Sequence, residues 1–400
     1  MKMLAIAHRY LWSRPLSAAL NLLLLSLGLA SITFVLLTSE QMERAFERDM
    51  AGIDLVVGAK GSPMQLILAG VFHIDVPTGN IPLAAVQELA QHPQVATLIP
   101  LSLGDTFKGF RIVGTSQAYA GHYRMTLAHG QNWTRSMEAV AGAQAARDAG
   151  LTVGGRFAGS HGLGGKGLSH GDTPYLITGV YAPCGCVLDR LILTSTESVW
   201  QVHEKATAND ASDLKVMQAE REVTLALITY RSPLAAVSMP RFVNTTTEMQ
   251  AAAPAIEITR LLRMVGVGTD VLRGFGAVLL LTAGLSVFIA LWSAVRERRA
   301  DLAMLRMLGA SPQKVAGLLL TEALLLAMLA TILGLLAGHA LTELIGSWLA
   351  TERSVSLTGW VWLSAEWWVP AMGVIVAILA AAIPAFSAYR LDVTTLLNSH

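Results

Sequence analysis

The stretch AVRERRADLAMLRMLGASPQK, residues 294–314, gathers Arg296, Glu297, Arg298, Arg299, Asp301, Arg306 and Lys314 into one short connection. The chain around it is only 14% charged and 53% hydrophobic, with a mean hydropathy of +0.51. An unbroken apolar run precedes the stretch and another follows it. Ordinary soluble domains are about 45–50% apolar and about a quarter charged, so this composition points to a membrane protein. A net charge of +1 gives no argument for nucleic-acid binding, and two cysteines are too few for a disulfide framework.

Four segments are long enough to cross a bilayer as helices, which takes roughly 20 mainly apolar residues. They lead to a division into a cytoplasmic segment with the first span (1–39), a stalk and two-lobed α/β domain (40–272), and a second span (273–295). The charged connection (296–314), a third span (315–341), a loop (342–368) and a fourth span with a C-terminal tail (369–400) complete it. The expected fold class is a four-span helical bundle with a large α+β domain outside the membrane. The basic residues Lys2, Arg9 and Arg14 suit a signal peptide as well as a span. The apolar run after them outlasts the roughly 7–15 residues of a signal core, which favours a retained span.

Lys and Arg in short loops mark the cytoplasmic side. The N-terminal segment and the 294–314 connection are basic, whereas the 342–368 loop is acidic on balance and rich in tryptophan. Both termini and the charged connection are therefore expected inside and the 230-or-so-residue domain outside, in a multi-pass protein of the inner membrane. Within the connection Val295, Leu302, Leu305, Met307 and Leu308 recur at helical spacing, and Gly309 and Pro312 supply a stop and a restart. An amphipathic helix there has two readings: one lies on anionic lipid, the other docks into a groove on a partner.

The order Glu297, Arg298, Asp301, Leu305, Arg306, Gly309, Ala310, followed by Glu322, Gly334 and Gly338, resembles the signature region of the FtsX/MacB-like permeases. These are membrane subunits of one class of ABC transporter. The resemblance implies an ATPase-coupling segment comprising Arg296, Glu297, Arg298, Arg299, Asp301, Leu302, Leu305, Arg306 and Gly309. It also implies a separate cytosolic ABC ATPase that binds ATP and Mg, a second permease copy or paralogue, and transmission of movement to the outer domain. Cargo would be an envelope substrate, lipid-linked or peptide; the rival reading is a non-transporting regulator or sensor of an envelope partner. Membrane lipids and a periplasmic partner complete the expected contacts, with no nucleic acid.

In the outer domain, VATLIPLSLGDTF and GFRIVGTS read as paired strands, PYLITGVYAP, DRLILTS and REVTLALITYR as further strands, and IPLAAVQELAQ and TESVWQVHEK as helices. Ser232 and Pro233 suit an N-cap and first turn, and the order suggests two small α/β lobes. The chain itself reads as no enzyme. GSHGLGGKGLSH is its nearest approach to a phosphate loop, and it holds Ser160 and Gly167 where the motif needs Gly and Ser/Thr. His161, His170, Cys184 and Cys186 form a chemically reasonable zinc or copper set, set against a flexible loop and a disulfide in an oxidising compartment. His73, His122, His129 and His203 carry no motif. Lys60, between two glycines, reads as a turn. Gly334 and Gly338 form a small-xxx-small pair, a close helix contact within the subunit or across a dimer.

Overall fold

Proline opens three of the long helices, at Pro15, Pro254 and Pro312, where its missing N–H costs nothing and its fixed φ suits the first turn. In the computed structural model, residues 3–13, 15–162, 173–207, 211–351 and 357–390 are described. Among them, four helices are long and apolar enough to cross a membrane. The first span is Pro15–Met50, the second Pro254–Glu297, the third Pro312–Thr351 and the fourth Trp368–Tyr389. A separate short helix, Met3–Leu11, precedes the first. Each of the first three helices extends well past its apolar run. The chain divides into two compact units, one of Met1–Glu43 with Met264–His400 and the other of Arg44–Arg263.

The helical unit is held by small and aliphatic side chains. Leu25, Leu29, Leu280, Ala283, Val287, Leu319, Ala327, Ala330, Ala377 and Ala381 are buried together, while Leu20, Leu27, Leu281, Leu285, Leu336 and Leu379 are exposed. An apolar surface of this extent is stable only where lipid is the solvent, and there association depends on close packing. The connection from third to fourth span is pinned by its own acidic residues. Glu343 Oε2 accepts the Gly359 N–H at 2.8 Å, and Glu366 Oε1 accepts the Leu363 N–H at 2.7 Å. His339 bridges the remaining groups, Nε2 to Glu366 Oε2 at 2.7 Å and Nδ1 to the Gly359 carbonyl at 2.6 Å.

Ile81–Pro82 pairs separately with Glu222–Val223, and most strands of the Arg44–Arg263 unit join one main sheet. Its order is Met249–Ala252, Leu55–Ala59, Leu225–Tyr230, Val95–Phe107, Phe110–Thr115, Leu191–Ser195, Glu138–Ala141, Tyr175–Tyr181 and Leu127–Gly130. The expected pairing of Val95–Phe107 with Phe110–Thr115 is present and antiparallel. Lys108 and Gly109 connect them with φ of 47° and 80°, the two positive values that a tight hairpin turn matching the strand twist requires. Side chains alternate faces along each strand. Val56, Leu101, Val113, Val140, Leu191, Leu193 and Leu225 share one core, together with Phe46, Met50, Leu261 and Leu262 from the ends of the first and second spans. On the other face the core is divided. One part gathers Leu55, Val57, Ala226 and Met239, and the second gathers Ile112, Ala139, Ala146 and Ile192. One continuous sheet thus runs through the whole unit, where the sequence suggests two lobes, and two cores lie on one of its faces. The helix expected from Ser232 and Pro233 spans Ala235–Thr246; those two residues form the turn before it, with Ala235 N–H donating to the Ser232 carbonyl at 3.1 Å.

Candidate functional site

The connection between second and third spans folds as a helix, Arg299–Met307. Gly309 ends it at φ 93°. The Gly309 N–H donates to the Arg306 carbonyl and the Ala310 N–H to the Leu305 carbonyl, both at 3.0 Å. This pair of reversed bonds, with a glycine in the left-handed region, is the Schellman stop.

The residues expected to couple to an ATPase divide between two faces of that helix. Leu302 is buried in the core of the helical unit, and Leu305 is half-buried against it. Arg298 also turns inward. Its Nη2 donates to the Tyr10 carbonyl at 3.1 Å and to Ser13 Oγ at 2.6 Å. Its Nη1 lies 3.5 Å from Glu322 Oε1, and its guanidinium sits 4.2 Å from the centre of the Tyr10 ring. Arg298 and Glu322 therefore tie the connection to the third span and to the N-terminal segment. The opposite face presents Arg299 and Asp301, with Met304, Met307 and Leu308 exposed at 53, 57 and 80%, while Arg296 and Glu297 are exposed at the end of the second span. Arg306 is half-buried. Helical spacing identified Leu302 and Leu305 as apolar, but the exposed methionines and Leu308 form the free apolar strip.

Gly334 and Gly338 pack within the chain. A Cβ at Gly334 would lie 2.7 Å from Leu29 Cβ, and one at Gly338 would lie 2.6 Å from Thr33 Cβ. The missing side chains let the third span touch the backbone of the first.

In the sheet unit the proposed ligand set of His161, His170, Cys184 and Cys186 is not assembled. Cys184 and Cys186 are joined in a disulfide, so neither offers a thiolate, and His170 lies outside the described residues. The Asp189 carboxylate accepts the N–H groups of Cys184 and Gly185 at 3.0 and 2.7 Å, which shapes the turn around the bond.

His161 instead meets Asp105 and His203. Ser160–His161 pairs with the Val95–Phe107 strand so that His161 stands opposite Asp105. A bulge between Leu103 and Thr106 re-aims the side chain there, as an extra residue in a strand does. The buried Asp105 presents Oδ1 to His161 Nδ1 at 3.1 Å and Oδ2 to His203 Nε2 at 3.8 Å. His203 comes from the helix Thr196–Thr207, and the two imidazole centres are 5.2 Å apart. One donor atom from each residue falls within 4.8 Å of the other two. His203 also lines an open groove of about 370 Å³ beside Trp200, Glu204 and Arg221. Two imidazoles and a carboxylate are ligands for divalent transition metals. Sequence spacing could not single out His203, because the three residues come from elements far apart in the chain.

The geometry is that of a multi-spanning membrane protein with a folded domain between its first two spans. Residues 273–393 match the FtsX-like permease C-terminal family. The whole chain aligns over 436 residues, at 23% identity, with a pyoverdine export ATP-binding/permease protein, PvdT, of Pseudomonas putida. The chain spans 60% of that relative's length. The periplasmic region of MacB from Actinobacillus actinomycetemcomitans, at 11% identity and TM-score 0.35, covers 54% of this chain and is itself 95% covered. For the extracellular domain of the transporter YknZ from Gram-positive bacteria the values are 11%, 0.31, 50% and 98%. The part of the chain that holds the second, third and fourth spans is thus similar to the FtsX-like permease C-terminal family, and it is the part in which the sequence carries its resemblance.

Proposed function

We propose that this permease couples ATP hydrolysis by a separate cytosolic ATPase to movement of its extracytoplasmic domain, working as a dimer in the inner membrane with both termini in the cytosol. The observation that carries the reading is the two-sided helix Arg299–Met307. One face is anchored in the helical unit through Leu302, and the other offers an apolar strip of Met304, Met307 and Leu308. Basic and acidic residues flank that strip. A helix lying in a groove uses this combination, apolar anchors for affinity and charges for orientation. The basic connection and N-terminal segment share one side of the membrane by the positive-inside rule, which puts the strip where ATP is. The cargo we assign is an envelope substrate, lipid-linked or peptide. The export named in the PvdT description supports outward movement.

The test is sided labelling in sealed cells followed by reconstitution. A single cysteine placed by Arg299→Cys, in a Cys184→Ser/Cys186→Ser background, should react with an impermeant maleimide only after permeabilisation. The unsubstituted permease should co-purify with an ABC ATPase and alter its turnover. Labelling from outside would place the strip on the wrong side of the membrane and remove the docking role.

A further inference from the structure

The geometry points to a metal site: we propose that Asp105, His161 and His203 hold one zinc ion on the extracytoplasmic domain, a role independent of the ATPase reading. Three separate elements converge there, namely the bulged strand Val95–Phe107, the short strand Ser160–His161 and the helix Thr196–Thr207. Zinc–nitrogen bonds of about 2.0 Å in a tetrahedral shell set neighbouring donors roughly 3.3 Å apart. The observed approaches of 3.1 and 3.8 Å are made by the two different oxygens of Asp105, and one donor from each residue lies within 4.8 Å of the others, so the half-exposed rings close on the ion by a small turn. Asp105 thus faces both imidazoles from one buried carboxylate, Oδ1 toward His161 and Oδ2 toward His203.

The surroundings suit an ion arriving from solution. The Asp105 side chain is 3% exposed, while those of His161 and His203 are 44% and 36% exposed. The charge that balances the dication is therefore fixed inside, and the two neutral ligands can swing in from outside. Two imidazoles and one carboxylate leave the fourth position of a tetrahedral ion to water or an incoming ligand. The two imidazole donors favour zinc and its neighbours over calcium or magnesium, which take oxygen ligands. The ion would clamp the short strand and the helix to the central sheet.

The experiment uses the full-length permease in detergent, without a polyhistidine tag, stripped with chelator and dialysed. Zinc is titrated calorimetrically, and cobalt(II) serves as a spectroscopic stand-in. The expected result is one equivalent of zinc and the intense visible absorption of tetrahedral cobalt. Both should be lost in His161→Ala and in His203→Ala, and both should persist in His129→Ala, whose imidazole is exposed elsewhere. Asp105 is buried, so Asp105→Asn risks misfolding; the half-exposed histidines make the decisive variants. X-ray absorption at the zinc edge should show only nitrogen and oxygen neighbours, with imidazole scattering. Absence of stoichiometric zinc, binding that survives the paired His161→Ala/His203→Ala change, or sulfur in the first shell would each overturn the assignment.

Discussion

Replacing Met304, Met307 and Leu308 together by serine should detach the ATPase while leaving the permease folded. A fully buried Met or Leu side chain contributes about 1.5–3 kcal/mol. These three already hide part of their surface, with exposures of 53, 57 and 80%, so docking can still bury roughly two side chains' worth. The expected loss is about 3–6 kcal/mol of binding free energy, or about two to four orders of magnitude in Kd. Leu305→Ala is the matched control, because that side chain faces the core of the helical unit; it should lower the thermal midpoint and leave affinity nearly unchanged. Binding would be measured by biolayer interferometry on permease in nanodiscs against the purified ATPase, with size-exclusion profiles confirming fold. Wild-type affinity in the triple variant, or a larger affinity loss in Leu305→Ala, would refute the assignment of the outer face as the docking surface.

Arg298→Ala should lower the thermal midpoint of the permease, because it removes the hydrogen bonds to Tyr10 and Ser13 and the cation that faces Glu322. The double variant Arg298→Ala/Glu322→Gln should recover much of that in thermal unfolding. Gly338→Ala should lower the midpoint because a methyl would meet Thr33, and pairing it with Thr33→Gly should restore part of the loss. Burial, with the nearby Arg111 and Arg190 charges adding, holds the His73 imidazole well below its ordinary value. The unfolded chain therefore takes up a proton that the folded one refuses. Stability conferred by neutral His73 should be complete above about pH 6.5 and fall by about 1.4 kcal/mol per pH unit below it. His73→Asn, which tolerates the positive φ of 56° at that position, should flatten the acid limb of a midpoint-against-pH curve.

The spans were legible because a run such as residues 15–39 has one physical use, and the Val95–Phe107 hairpin because its alternation and turn residues agree. The family resemblance rested on ordered residues from Glu297 to Gly338, and the membrane unit carries it. Helical periodicity revealed that the charged connection has an apolar side, but not that Leu302 faces the bundle while Met304 and Leu308 do not. That choice is made by the third span packed behind it. The set of His161, His170, Cys184 and Cys186 follows from residue type alone, whereas in the structure Asp105, on a bulged strand, faces His161 from a short strand and His203 from a helix. Position along the chain carries little information about convergence of this kind.

The glycines at 334 and 338 bring the third span against the backbone of the first, with Leu29 and Thr33 in direct contact, whereas Leu333 and Leu336 point away and are exposed. That seam admits no acyl chain. A photoactivatable phospholipid should mark the leucine side of this helix and spare the glycine side. Small hydrophobic inhibitors that wedge between helices would find no foothold there.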